Sequence, residues 1–281
     1  MDASVREHPF FKRILIVYFL EREKNMDNKE FYINCDGIAL HAKLDFPEDQ
    51  NEKYPLVIII HGLTGHMEER HIVEVSKACN SIGFASLRVD MYGHGKSEGE
   101  FRNHTVLHWM LEIMRVIDYA KTLDFVTDIY LTGHSQGGAS IVLAAALKQE
   151  SLKAIMPLSP AMMIRDAARA GELPNTAFNP DNPEEILLFG THAISANYMR
   201  VCRLLPFEDA VKDFKKPVLV VHADTDELVP YACAVKLQKD YADAKLVTIP
   251  GDDHCYARHL DMVTDAVKEF LLQMNEKKAK K

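Results

Sequence analysis

The chain has 281 residues, 33 Lys+Arg against 41 Asp+Glu, and a formal net charge of −8. That length fits one α/β domain, which reaches about 250 residues, with an insertion. A composition of 47% hydrophobic and 26% charged residues excludes disorder over most of the length, and the acidic balance excludes non-specific attraction to nucleic acid or anionic membrane.

The N-terminus opens with an apolar run from Ile14 to Leu20, too short to span a bilayer. Glu21-Arg22-Glu23-Lys24 follows, where a secretion signal would carry small residues. The expectation is therefore a cytoplasmic protein. Residues 1–25 read as an N-terminal extension, with Met26 as an alternative start, and 26–281 as a single domain. Cys35, Cys79, Cys202, Cys233 and Cys255 are odd in number and widely spaced. They are expected to be free, buried or half-buried, in a reducing compartment.

From Phe31 the pattern alternates strands and helices. Residues 31–35 and 38–46 predict a hairpin around Asp36-Gly37. Leu56-Val57-Ile58-Ile59-Ile60 predicts a strand buried on both faces. A helix over 68–82 stops at Gly83, and a strand over 84–89 ends at Asp90. Residues 104–123 predict an amphipathic helix, with Leu107, Leu111, Met114, Ile117 and Ala120 at helical spacing. A short strand over 128–132 leads into an Ala-rich helix through Leu147. Residues 152–158, 217–221 and 245–249 predict three further strands, and 263–272 lies inside a closing helix. Such alternation implies a mostly parallel central sheet with helices on both faces. The rhythm breaks between Ser159 and Phe207, where Pro160, Pro174, Pro180 and Pro183 stand. That stretch is too long for a plain loop and reads as an inserted cap over 160–207, with short helical pieces and no strand.

Gly133-His134-Ser135-Gln136-Gly137 falls between a strand and a helix. A strand-to-helix elbow forces its central residue into strained backbone geometry, requires small neighbours, and exposes the Ser135 hydroxyl above the sheet. A serine nucleophile needs a base, and the base needs an orienting acid. On this architecture they follow in the order acid, then His, each after a late strand. His254 lies beyond the last strand, while His259 is expected near the closing helix, facing away. For the acid, Asp226 is favoured over Asp224 in the preceding loop, leaving Asp224 to shape that loop. Asp252 and Asp253 flank His254. The loop after the first parallel strand, His61-Gly62-Leu63-Thr64-Gly65, is placed to give one oxyanion donor, the Leu63 amide; Gln136, after the nucleophile, gives the other. The loop Asp90-Met91-Tyr92-Gly93-His94-Gly95-Lys96-Ser97 is expected to brace the elbow. His61, His66 and His71 lack His-Glu-x-x-His spacing, and no phosphate-cradling glycine loop is present, so neither metal nor cofactor is expected.

His61-Gly62-x-x-Gly65, Asp90-x-x-Gly93-His94-Gly95-x-Ser97, the Gly133–Gly137 motif, Asp226-x-x-Val229-Pro230 and Gly251-x-x-His254 together resemble the α/β-hydrolase superfamily. Gly65-His66-x-Glu68-Glu69-Arg70-His71, Pro250-Gly251-Asp252-x-His254 and Asn197-Tyr198-x-Arg200-Val201 further resemble bacterial cinnamoyl (feruloyl) esterases. The resemblance covers the chain from about Glu30 onward. It implies a serine esterase with an inserted lid, acting on ferulate, caffeate or p-coumarate esters, with a cap tyrosine, here Tyr198, contacting the phenolic end. Phe189 and Tyr198 are candidate pocket walls. Ala223 stands where relatives often have Gly. The implied partner is a small aromatic ester, with no nucleic acid and no membrane; association into a homodimer stays open. The rival readings are a broad short-chain carboxylesterase or acyltransferase with the same triad, and a ligand-binding protein on the same fold.

Overall fold

The computed structural model describes residues 29–49, 51–173 and 176–279; the N-terminal extension and the alternative start at Met26 lie outside them. The sheet begins with β1 (Lys29–Cys35) and β2 (Ile38–Asp45), paired antiparallel. Asp36 and Gly37 between them take φ of 53° and 96°, the left-handed pair that matches the twist of a two-residue hairpin. Next come β3 (Tyr54–Ile60), β4 (Ala85–Val89), β5 (Val126–His134) and β6 (Ala154–Leu158). The order across the sheet is β1-β2-β4-β3-β5-β6-β11-β12, where β11 is Val218–Ala223 and β12 is Ala244–Ile249. β2 meets β4 antiparallel; from β4 to β12 every pairing is parallel. The strand-helix alternation thus gives the mostly parallel sheet read from the sequence.

The two faces follow from the period of two along β3. Leu56, Ile58 and Ile60 enter one apolar core, while Val57 and Ile59 enter the other. The first core is closed by α2 (Val106–Ala120) and α3 (Gln136–Lys148), the second by α1 (Arg70–Ser81) and α8 (Leu260–Ala279). α2 corrects the predicted face in part: Ile117 and Ala120 are buried and Met114 packs on the core as expected, but Leu107 and Leu111 are 41% and 50% exposed, and Val106, Trp109, Met110 and Ile113 are buried in their place. Two apolar stripes share this helix, and the one carrying Trp109 removes more apolar area from water.

The segment after β6 holds α4 (Ile164–Ala170), α5 (Ala196–Cys202) and the start of α6 (Phe207–Asp213). It also holds strands, against expectation: β7 (Glu172–Leu173) pairs with β8 (Thr176–Ala177), and β9 (Ile186–Leu188) with β10 (His192–Ile194), both antiparallel. These ribbons are too short to display alternation. The turn of the second uses Phe189 and Gly190 at φ 51° and 72°, and Phe is not a residue that announces a left-handed position. α7 (Ala232–Asp240) lies between β11 and β12. Cys35, Cys79 and Cys202 are buried and Cys233 is half-buried, but Cys255 is exposed, contrary to the expectation for it. Among the described residues no helix is long and apolar enough to cross a membrane.

Candidate active site

Four parallel strands deliver the candidate residues to one edge of the sheet, the carboxyl ends of β3, β5, β11 and β12. Ser135 sits between β5 and α3 at φ 55° and ψ −119°, a strained conformation for a side chain with a Cβ. The elbow survives because its flanks are glycines in tight contact. A Cβ on Gly137 would lie 2.2 Å from the His61 backbone oxygen, and one on Gly133 would lie 2.7 Å from the Gly137 carbonyl carbon. The Ser135 amide donates to the Leu158 carbonyl at 2.9 Å, and the Ser135 carbonyl accepts from Ala139 and Ala161 at 3.0 Å each.

Across the cavity, His254 Nδ1 donates to Asp226 Oδ2 at 2.7 Å. Asp226 Oδ1 accepts from the Leu228 and Val229 amides, both at 2.9 Å. The carboxylate is fully buried. Burial alone would raise its pKa, but hydrogen bonds from His222 and His254, the nearby His254 charge and the Val229 amide together hold it well below the usual carboxylate range. The structure pairs Asp226, and not Asp224, with His254. Asp224 Oδ1 accepts from the Gly251 amide at 2.7 Å, and so ties the acid loop to the histidine loop. Asp252 accepts from the amides of Asp253, Arg258 and His259, and Asp253 accepts from Cys255 and Ala257. Both are spent on folding the turn around His254.

Ser135, His254, Leu63 and Gln136 line one cavity of about 150 Å³. Neither the Leu63 nor the Gln136 amide has an acceptor among the described residues. The cap contributes Leu173, Leu188, Phe189 and Tyr198, so both candidate wall residues reach the cavity. Phe189 is 41% exposed at its mouth, whereas Tyr198 is fully buried and donates its hydroxyl to Gln136 Oε1 at 2.6 Å.

Three histidines, His61, His134 and His222, make polar contacts that had no signal in the spacing. His61 Nε2 accepts from the Met91 amide at 3.0 Å, which leaves Nδ1 protonated to donate to the Gly62 carbonyl at 2.7 Å. That bond fixes the peptide plane whose other end is the Leu63 N–H. Burial pushes His61 down to about 3, so it is neutral. His134 Nε2 donates to the His254 carbonyl at 2.8 Å, and His134 Nδ1 accepts from His71 Nε2 at 3.1 Å. His222 Nε2 lies 2.9 Å from the Val229 carbonyl and 3.3 Å from Asp226 Oδ2. Each partner is distant in sequence or reached through ring orientation, and neither is visible as a motif. The Asp90 loop braces the site: Asp90 accepts from the Met67 and Lys96 amides, and His94 packs 5.2 Å from His61 and 4.9 Å from Trp109. Among the described residues no group of three His, Cys, Asp or Glu side chains is placed to hold a metal ion.

Two family models match the chain: one described as serine aminopeptidase, S33, over residues 51–179, and one described as TAP-like protein over residues 189–281. Est1E from Butyrivibrio proteoclasticus, solved with ferulic acid bound, is 55% identical, with a TM-score of 0.86 over 88% of this chain and 99% of Est1E. A second Est1E structure gives 52% identity and a TM-score of 0.83 at the same coverage. The lysophosphatidylserine lipase ABHD12 of Gallus gallus is 23% identical over 90% of this chain and 69% of its own length. The Xenopus tropicalis protein of that name is 24% identical over 71% of this chain, which spans half of its length. With this sheet order, this elbow and 55% identity to Est1E over 88% of its length, the chain belongs to the α/β-hydrolase superfamily and, within it, to the feruloyl (cinnamoyl) esterase family that its motifs resemble.

Proposed function

We propose that the chain hydrolyses esters of hydroxycinnamic acids such as ferulate, caffeate and p-coumarate through an acyl-enzyme on Ser135. Ser135 Oγ attacks the ester carbonyl as His254 takes its proton. Asp226 keeps the proton of neutral His254 on Nδ1 and stabilises the imidazolium that forms. The Leu63 and Gln136 amides receive the oxyanion. His254 then protonates the departing alcohol, and water repeats the sequence on the acyl-enzyme. Leu173, Leu188 and Phe189 form the apolar slot for the aromatic acyl group, with Tyr198 at its inner end near the phenol. The inserted segment over 160–207 serves as the lid, and the free cysteines fit a cytoplasmic setting.

The observation that carries this reading is the 55% identity to a protein solved with ferulic acid bound, in a chain whose Ser135 and Asp226-paired His254 face one cavity. The test is kcat/KM for methyl ferulate beside p-nitrophenyl acetate, on the wild type and Ser135→Ala. The expected result is strong preference for the ferulate ester, abolished by the substitution. Acetate cleavage without ferulate cleavage would keep the triad and discard the acyl group. Inactivity on both would discard the enzyme.

A further inference from the structure

A second cavity lies between the start of α4 and the helices α6 and α7. At about 220 Å³ it is larger than the catalytic cavity of about 150 Å³. The two linings have one residue in common, Met163, which immediately precedes α4. Met163 is therefore the wall between them. It is half-buried, and with open space on two sides it gives up little packing when shortened.

The second cavity has an apolar floor. Phe207, Val211 and Leu237 are buried there, and Ala232 lines it from the exposed start of α7. The charges on its wall are spent on one another. Arg165 donates to Glu208 Oε1 at 2.6 Å and to Asp166 Oδ1 at 3.1 Å, and Lys236 pairs with Asp240. Burial raises the pKa of the Cys233 thiol, which lies against the Met163 backbone amide, so the thiol is neutral. Self-paired charges over apolar area suit a hydrocarbon better than an ion. The gap that Met163 fills has the cross-section of an unbranched chain, because a methionine side chain is one. Ile164, next to Met163, enters the same apolar core as Leu173 and Leu188 of the acyl slot. The substrate group that meets Met163 is accordingly the acyl chain.

We propose that the second cavity is a closed extension of the acyl site, and that Met163 sets the length of acyl chain the enzyme accepts. The ligand class of the extension is the distal part of an unbranched fatty acyl chain. This rests on the esterase reading above and adds to it the residue that limits the acyl group.

The test measures kcat/KM for p-nitrophenyl acetate and p-nitrophenyl decanoate on the wild type, Met163→Leu, Met163→Ala and Met163→Ala/Ala232→Phe. Each buried methylene contributes about fourfold, and four of them on the order of a hundredfold. The decanoate-to-acetate ratio is expected to rise tenfold or more in Met163→Ala. Met163→Leu, which keeps the wall, should retain the wild-type ratio. The double variant should lose the gain, because its phenyl ring occupies the second cavity. Met163→Val replaces Met163→Ala if that variant does not fold. Cys233 supplies a readout without turnover: in Ser135→Ala/Met163→Ala, p-nitrophenyl decanoate should slow its alkylation by iodoacetamide, and in Ser135→Ala alone it should not. A ratio unmoved by shortening Met163, a gain that survives Ala232→Phe, or unprotected Cys233 overturns the extension. So does a gain for decyl acetate in place of the decanoate, which would put the alcohol there. In each of these cases wild-type turnover of the acetate leaves the esterase reading standing. No turnover of either ester by the wild type would remove that reading and the extension with it.

Discussion

Asp226→Asn is the most informative single change, because the loop dictates how the new side chain must sit. Asp226 Oδ1 accepts two backbone amides, Leu228 and Val229, at 2.9 Å each. An amide nitrogen there would face two N–H donors in a fully buried position, so the Asn oxygen must keep that place. Its Nδ2 is thereby aimed at His254 Nδ1, which now has to accept where it donated at 2.7 Å. The ring is driven to the tautomer with its proton on Nε2, the nitrogen that has to receive the Ser135 proton. Loss of the base in this way costs on the order of 10⁴-fold in kcat, about 5 kcal/mol of barrier.

Asp224→Asn keeps an acceptor oxygen for the Gly251 amide, removes only the charge, and should cost under tenfold. The assay is steady-state hydrolysis of methyl ferulate, with a thermal melt of each variant to show that the fold is kept. A loss below tenfold for Asp226→Asn, or equal losses for the two variants, would refute the tautomer argument and the assignment of Asp226 as the triad acid.

Tyr198→Phe removes the donor to Gln136 Oε1, and Gln136 Nε2 is already buried without a partner. The cost should be about 1–3 kcal/mol, read as a melting temperature lower by roughly 3 °C or more; an unchanged melt would show that the cap is not tied to the elbow through this bond. Gly137→Ala places a Cβ 2.2 Å from the His61 and 2.9 Å from the Ile60 backbone oxygens. It should cost about 3 kcal/mol or more, and a melting temperature within about 2 °C of wild type would contradict that packing. Stability should also fall steeply with acid. Burial pushes His61 and His104 down to about 3 and His71 and His94 to about 4, so all four stay neutral in the native state while the unfolded chain takes up protons below about 6.5. His134, held far below the usual imidazole range by burial, adds a fifth; Glu112, raised to about 8 by burial, acts in the opposite sense above its unfolded value, leaving a net uptake of about four protons on unfolding near pH 5. That is on the order of 5 kcal/mol lost per pH unit, visible as proton uptake in calorimetry across buffers of differing ionisation enthalpy; a melting temperature flat between pH 6.5 and 5 would count against it.

The fold was legible where the information was local. β3 could be recognised because a β-branched run buried on both faces has few alternatives, and the first hairpin because Asp36-Gly37 is the chemistry its turn requires. The cap was not legible for the converse reason. β9 and β10 are three residues each, and their pairing depends on Phe189 adopting a positive φ that its own preference disfavours. α2 was recognised as a helix and its C-terminal half buries Ile117 and Ala120 as expected, but the first turns were misjudged, since Leu107 and Leu111 have the right spacing and lose only because Trp109 and Met110 bury more. Periodicity ranks faces by pattern, whereas folding ranks them by area removed from water.

The candidate site divides along the same line. The ends of parallel strands bring loops together whatever those loops contain, so strand order alone places Ser135, Asp226 and His254 at one edge. Spacing cannot separate Asp226 from Asp224, two residues apart in one loop. The difference lies in which carboxylate has its second oxygen held by amides, and that follows from the turn at Leu228 and Val229. The same reasoning covers the histidines whose contacts no motif reveals. His134 is 63 residues from His71 and 120 from His254, yet its two nitrogens join them because Gly62, whose Cβ would lie 3.1 Å from His134 Nδ1, leaves room for the buried ring between helix α1 and the histidine loop. A neutral ring that donates on one side and accepts on the other can bridge those two elements without a charge to desolvate. The candidate triad residues are thus set by position in the topology, and the histidines around them by the hydrogen bonds that burial at that edge obliges the chain to complete.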